Sequence, residues 1–130
     1  MTRVYRRATE GWRSSRGLPV LETHTPGTFG QWGELVACWF LEGRGIQIVA
    51  TNVRVGRGEI DIVARDGCDI VAVEVRSRRG DLGEVTAVDM SKLAQMNRNA
   101  RAVSASRVDL VVIAAGTNGI QIQWSAALSW

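Results

Sequence analysis

Three short runs rich in β-branched residues, separated by glycine turns, constrain the fold of this 130-residue chain more than any other feature. The runs cover residues 46–55, 59–65 and 69–76. Runs of this length and composition predict a three-stranded antiparallel meander. Because Asp-Gly is a preferred dipeptide of two-residue hairpins, we expect Asp66-Gly67 to form the second turn. That turn would pair Asp61 with Ala72.

A helix is predicted on each side of this meander. The first begins near Thr28 and carries an apolar stripe at helical spacing, formed by Trp32, Leu35, Val36, Trp39 and Phe40. The second covers about Asp89–Val103 and leads to two more strands, 108–115 and 120–124. The order α-β-β-β-α-β-β predicts one α/β domain over residues 30–130.

Residues 1–29 are expected to form a flexible basic arm, because they mix Arg, Ser, Thr, Gly and both prolines without any period. Residues 1–30 contain five arginines and two glutamates, while residues 31–130 contain 11 basic and 11 acidic side chains. The net charge of +3 therefore belongs to the arm. Two interpretations of the arm stay open: a disordered leader, or a segment that binds phosphates without sequence preference.

The remaining composition predicts a soluble, cytoplasmic protein. No apolar run approaches the roughly 18 to 20 residues of a membrane span, and no apolar segment of a signal peptide follows the basic start. Cys38 and Cys68 lack the spacing of a zinc site or of a disulfide framework, and we expect both to be small buried hydrophobes.

The predicted pairing places several carboxylates on one face of the meander. Glu59, Asp61 and Val63 would share that face with Ile70, Ala72, Glu74 and Arg76, and the other face would be wholly apolar (Ile60, Ile62, Ala64, Val71, Val73 and Val75). Asp61 and Glu74 would then be diagonal neighbours, whose charges repel by roughly 3 kcal/mol at about 6 Å and an effective dielectric constant near 20.

Three arrangements would offset this repulsion: a contact with Arg76, a raised pKa of one acid, or a bound divalent cation. A set of carboxylate oxygens suits Mg²⁺ or Mn²⁺ better than zinc. The alternative is a solvated or salt-bridged surface cluster that binds no metal, and a strand slip of one residue would dissolve the cluster. Glu34, flanked on its helix by Ala37, Cys38 and Leu41, is also expected not to be simply solvated.

These residues carry a family resemblance. The segment GQWGELVACWFLEGRGIQIVATNVRVGRGEIDIVARDGCDIVAVEVRSR (30–78), with Gly83, Lys92 and RVDLVVI (107–113), resembles the YraN family of uncharacterised bacterial proteins with a restriction-endonuclease-like fold. That family is similar to the PD-(D/E)XK nucleases and the archaeal Holliday-junction resolvases. The resemblance implies an α-β-β-β-α-β core with a mixed central sheet, and a Mg²⁺-dependent endonuclease acting on DNA, including branched or structured DNA.

The resemblance also implies roles for individual residues. The metal ligands would be Asp61, Glu74, Glu34 and the carbonyl of Val75. Arg76 stands where these nucleases usually have lysine, and arginine can orient a phosphate or hydroxide but cannot act as a base. Lys92 matches a lysine of the family and would supply the missing ammonium group, while Arg78 and Arg79 would contact phosphates.

A second function stays open at this point: a nucleic-acid-binding or protein-interaction module that keeps the nuclease fold without turnover. The absence of lysine from the third strand and the balanced charge of residues 31–130 favour it. If the protein does cut both strands of DNA, we expect a homodimer, because two cuts call for two sites.

Overall fold

The structure is a computed structural model that describes residues 2–6, 26–83 and 88–128. Its elements are β1 (Thr2–Tyr5), α1 (Pro26–Glu42), β2 (Gln47–Val55), β3 (Gly58–Asp66), β4 (Asp69–Arg79), α2 (Met90–Ala102), β5 (Arg107–Gly116) and β6 (Gly119–Ser125). The strands form one six-stranded sheet in the order β1-β6-β5-β4-β3-β2. β4 and β5 are parallel, and the other neighbouring strands are antiparallel. The predicted α/β architecture with a mixed sheet and an α-β-β-β-α-β core is confirmed.

The two helices cover opposite faces of the sheet. On one face, α1 packs on apolar side chains of the central strands, which include Ile62, Val71, Val73, Val111 and Ile113. On the other face, Met96 and Ala100 of α2 pack against Ile60, Val63, Ala72 and Val108. Both faces of the meander are therefore buried, whereas the sequence pattern predicted apolar burial mainly on one.

The predicted register of the β3–β4 hairpin is wrong by two residues. Ala72 pairs with Val63 and not with Asp61, because the turn is formed by Gly67 and Cys68 and closes on the pair Asp66–Asp69. A shift of two residues preserves which side chains share a face, since side chains alternate with a period of two. Asp61 and Glu74 therefore stay close together despite the error.

The strand β3 also departs from simple alternation. Ile60 was predicted to share the face of Ile62, but it packs with the α2 cluster while Ile62 packs with the α1 cluster. The ladder between β3 and β4 ends at the pair Ile62–Val73. The backbone therefore turns between Ile60 and Ile62, which leaves Asp61 at the point where β3 and β4 separate.

Strand β2 lies at the edge of the sheet and is irregular. Its register against β3 shifts between Ile48 and Ala50, and the bulged residue Val49 is 53% exposed. Such bulges bend and twist an edge strand.

The helix α1 presents a different stripe from the predicted one. Leu35 is 59% exposed, whereas Ala37 and Leu41 are fully buried. The buried face is thus rotated toward Glu34, which lies at its border. The close approach of α1 to β4 fixes this rotation, because a β-carbon added at Gly33 would overlap with the hydroxyl of Ser77.

Part of the segment predicted to be a flexible arm belongs to the sheet. Thr2–Tyr5 form strand β1, which pairs antiparallel with β6. The ring of Tyr5 meets Phe40 edge to face at 5.0 Å between centroids, so apolar packing holds this strand in place. The helix α1 begins at Pro26, two residues before Thr28. The rest of the predicted arm, residues 7–25, lies outside the described residues.

Two other expectations can be compared with the structure. Cys68 is exposed in the β3–β4 turn and Cys38 is half-buried, so the prediction that both are buried is wrong. Burial raises the pKa of Cys38 to about 11, which makes it a poor nucleophile at neutral pH. Among the helices of the described residues, none combines the length and the apolar character needed to cross a membrane.

The buried carboxylate of Asp109 connects three strands of the sheet. Asp109 of β5 is fully buried and accepts hydrogen bonds from Arg107, from Nε1 of Trp124 at 3.0 Å and from the main-chain N–H of Ala127 at 2.9 Å. Arg107 also reaches Asp66 at 2.8 Å. Because each buried oxygen has partners, the charge is tolerated and ties β3, β5 and β6 together.

The close contact of α1 with β4 gives a prediction about two glycines of the same helix. We expect Gly33→Ala to destabilise the protein by about 1 to 3 kcal/mol through overpacking against Ser77. Gly30→Ala, where no atom lies within 4 Å of the added carbon, should instead stabilise it by up to about 1 kcal/mol. Urea unfolding followed by tryptophan fluorescence measures both. Equal effects of the two substitutions would contradict the close approach, and Ser77→Gly should restore part of the stability of Gly33→Ala.

Candidate active site

Acidic side chains from three elements lie near one another where β3 and β4 separate, but they do not converge on one point. Glu34 comes from α1, Asp61 from β3 and Glu74 from β4. Burial raises the pKa of Asp61 most, and the charges of Glu74, Glu34 and Glu59 add to the increase. The three carboxylates predicted as metal ligands are therefore electrostatically coupled in the folded chain.

Asp61 lies at the centre of the group. Its Oδ2 atom accepts a hydrogen bond from the main-chain N–H of Val75 at 2.8 Å. The carboxylate thus takes the place of a β3 main-chain carbonyl in the ladder and keeps the two strands apart. Burial, more than any other cause, raises the pKa of Asp61 from its usual 3.8 to about 6, against the opposing effect of the Val75 bond.

The carbonyl of Val75 faces the same gap. In an extended strand, the N–H and C=O groups of one residue point to the same side. Because the Val75 N–H points to Asp61, the Val75 carbonyl is directed to the β3 side as well. The role of this carbonyl as a metal ligand stays a prediction.

Glu34 reaches the site from the border of the buried face of α1. Burial raises its pKa, and the charges of Glu59 and Glu74 add to the increase, while a hydrogen bond from the side chain of Asn52 opposes it. The contact of Gly33 with Ser77 sets how far α1 can approach β4, so it also sets the position of the adjacent Glu34.

Lys92 places a positive charge against one of the carboxylates, Glu74. Its Nζ atom lies 3.1 Å from Oε1 of Glu74, with both side chains partly exposed. The side chain of Asp89, the N-cap of α2, accepts the main-chain N–H of Lys92 at 2.8 Å and fixes the first turn of the helix. The only lysine of the chain is thereby directed at an acid of the site.

The arginines of β4 are placed differently. The hydrogen bond from the Lys92 N–H lowers the pKa of Asp89, and the charge of Arg76 contributes to that lowering. Arg76 therefore lies near the start of α2. Arg78 and Arg79 are exposed at the end of β4, and the guanidinium of Arg79 stacks 4.2 Å from the ring centroid of Phe29. The structure does not bring Arg78 and Arg79 into the carboxylate group.

The oxygen atoms at this site are of the type that a hard cation prefers, but their positions in the structure do not converge on one point. Carboxylate and main-chain oxygens are the ligands that Mg²⁺ and Mn²⁺ prefer, and the Val75 bond uses only the Oδ2 atom of Asp61. Within the described ranges, no three His, Cys, Asp or Glu side chains are close enough together to hold an ion. Binding would require Glu34 or Glu74 to change rotamer, and Glu74 would have to share its oxygens with Lys92.

Asn52 contacts the group although the sequence analysis did not select it. When its amide nitrogen faces the carboxylates, it donates to Oε2 of Glu34 at 3.1 Å and to Oε1 of Glu59 at 2.9 Å. The sequence feature that points to Asn52 is its place within a run of β-branched residues, because asparagine is disfavoured in strands.

The raised pKa of Asp61 predicts how stability depends on pH. Because the folded state holds this proton more tightly than the unfolded chain, the contribution of Asp61 to stability should rise as the pH falls from about 7 toward about 4. Asp61→Asn keeps an acceptor for Val75 and removes the charge. At pH 7.5 we expect the variant to be more stable than wild type by about 1 kcal/mol, because partial exposure to solvent weakens the effect of burial. This gain in stability should shrink as the pH falls toward about 4.

Urea unfolding at pH 7.5 and 4.5 measures this difference. Asp69→Asn, at the other end of the same hairpin, is the matched control, because Asp69 is exposed in the structure. A loss of stability in Asp61→Asn at pH 7.5 would contradict the raised pKa of Asp61.

Comparison with known sequences places this site in a family. The profile of the uncharacterised protein family UPF0102 matches residues 33–113, which include Glu34, Asp61, Glu74 and Lys92. A UPF0102 protein of Thermotoga petrophila is 44% identical over 68 residues, which cover 52% of this chain and 63% of that protein. The chain thus spans less than two thirds of the length of this relative.

Other relatives match over a larger share. A UPF0102 protein of Roseiflexus castenholzii is 38% identical over 104 residues, covering 72% of this chain and 84% of its own length. A UPF0102 protein of Halorhodospira halophila is 37% identical over 113 residues, which cover 82% of this chain and 90% of that protein. The chain therefore belongs to the uncharacterised protein family UPF0102, which is the YraN family.

Proposed function

We propose that this protein is a Mg²⁺- or Mn²⁺-dependent endonuclease that hydrolyses phosphodiester bonds of DNA. The observation that carries the proposal is that the charges of Glu34 and Glu74 both act on Asp61, which lies where β3 and β4 separate. The α-β-β-β-α-β core supports it, because that order is shared with the nucleases that the family resembles.

The residues have distinct roles in this proposal. Asp61, Glu74, Glu34 and the Val75 carbonyl would hold the cation, which when bound activates water and stabilises negative charge on the phosphate. Lys92 would supply the ammonium group that β4 lacks, next to Glu74, because an arginine cannot act as a base. Arg76, Arg78 and Arg79 would hold phosphates by charge, with Arg76 beside the first turn of α2.

Branched or structured DNA is the substrate that we favour, because the family is similar to the archaeal Holliday-junction resolvases. Paired cuts in two strands would require two copies of the chain.

A module that binds nucleic acid or protein without turnover is the second candidate. The observation that favours it is the Lys92–Glu74 ion pair, which already neutralises one of the acids that a metal would need. Cation binding and cleavage separate the two candidates.

Cation binding is the first prediction of the nuclease proposal. We expect wild type to bind Mn²⁺ and Asp61→Asn to bind it at least about tenfold more weakly, because a central anionic ligand is lost. Asp69→Asn, the matched control, should bind like wild type. Isothermal titration calorimetry at pH 7.5 measures all three. Equal binding, or no binding, by wild type and Asp61→Asn would refute the nuclease.

Cleavage is the second prediction and concerns Lys92. We expect Lys92→Met to cut a branched DNA about 10² to 10³ times more slowly than wild type, because a charge near the phosphate is lost. Its Mn²⁺ affinity should equal or exceed that of wild type, because the ammonium no longer occupies Glu74. Arg101→Met, which removes an exposed cation at the other end of α2, is the control and should cut normally.

Gel assays on four-way and linear DNA with Mg²⁺ measure this effect. If wild type binds Mn²⁺ through Asp61 but leaves both substrates uncut at high protein concentration, the non-catalytic module is the better description.

A further inference from the structure

The side chain of Asn52 joins two carboxylates that come from different elements. It donates to Glu34 of α1 at 3.1 Å and to Glu59 of β3 at 2.9 Å. The opposite amide orientation would set its oxygen against the carboxylate oxygens, so the donating orientation is assigned from the hydrogen bonds. One neutral group thereby bridges two anions without adding a charge of its own.

The backbone at this position is unusual for a strand. Asn52 has φ 52°, in the left-handed region, although it lies inside β2. Asparagine tolerates this conformation better than most residues. The pairs Thr51–Ile62 and Val53–Ile60 flank it, so the register places Asn52 across from Asp61. The irregular positions of β2 and β3 thus lie opposite each other at the carboxylate site.

We propose that Asn52 is a positioning residue that holds Glu34 beside Asp61. Its amide fixes the end of the Glu34 side chain to the β2–β3 hairpin, while the Gly33 contact fixes the helix that carries it. The consequence for metal binding rests on the proposed function. The bridge itself does not, because both hydrogen bonds join side chains of this chain alone.

The side-chain chemistry at position 52 is specific. Hydrogen bonds from an amide to ionised carboxylates are stronger than bonds between neutral groups. Glycine would accept the left-handed backbone but has no amide to donate. Aspartate has the same shape, yet it would place another negative charge against Glu34 and Glu59. A lysine or arginine would neutralise the acids and compete with a cation. Asparagine combines the backbone tolerance, the two donors and the neutrality.

The bridge can be tested without any metal. In ¹⁵N-resolved NMR spectra we expect the side-chain amide resonances of Asn52 to shift in Glu34→Gln and in Glu59→Gln, because each substitution removes a charged acceptor. Glu42→Gln, an exposed acid at the end of the same helix, should leave them unchanged. If neither Glu34→Gln nor Glu59→Gln moves these resonances, the bridge does not exist and the proposal falls.

The positioning role is tested by Mn²⁺ affinity. Asn52→Gly keeps the left-handed backbone and removes the amide, and we expect it to bind Mn²⁺ about fivefold more weakly than wild type, as for the loss of one hydrogen bond. Ser104→Gly is the control, because Ser104 is exposed and also has positive φ, at 57°. It should bind Mn²⁺ like wild type, because it makes the same change to glycine at a left-handed position that has no side-chain amide to lose.

The outcomes separate the two proposals. Wild-type affinity in Asn52→Gly would overturn the positioning role even if the nuclease is real. If wild type itself shows no Asp61-dependent binding, the proposed function fails, and the NMR comparison alone then decides whether Asn52 holds Glu34.

Discussion

The parallel pairing of β4 with β5 is the constraint on which the candidate site depends. Parallel neighbours cannot be joined by a tight turn, so the chain must cross over the sheet between them. Here the crossover contains α2, which packs on the face opposite α1. The helix α2, which carries Lys92, therefore covers the face of the sheet on which Glu74 lies. An antiparallel β4–β5 hairpin would have left Glu74 without this partner.

Sequence patterning predicted much of this arrangement and failed where tertiary contacts decide. The elements of the core and the grouping of Asp61 with Glu74 followed from periodicity, since a register error of two residues leaves faces unchanged. Asp66-Gly67 was misplaced because the pair Asp66–Asp69 closes the hairpin one residue later. Leu35 was assigned to the core because helical spacing alone cannot distinguish it from Ala37, and the Gly33–Ser77 contact rotates the helix.

The remaining site features could not be read from local sequence. Lys92 was selected through the family resemblance, and its ion pair with Glu74 arises only from the packing of α2 on the sheet. The bridge by Asn52 depends on a left-handed residue inside a strand, which propensity argues against. Asp61 lies against the Val75 N–H because β3 stops pairing with β4 after the pair Ile62–Val73. At that point the side chains of β3 no longer alternate between faces, and a strand prediction relies on this alternation.

The bulge at Val49 has a consequence for how copies of this chain can associate. An outer strand with a regular row of unpaired N–H and C=O groups invites strand addition from another molecule, which leads to open-ended aggregates. The bulged, left-handed course of β2 interrupts such a row at Val49 and again at Asn52. A second molecule would have to straighten β2 before pairing with it, and this would pull apart the Asn52 bridge. The irregular course of β2 beside the carboxylates is thus also poorly suited to strand addition by another molecule.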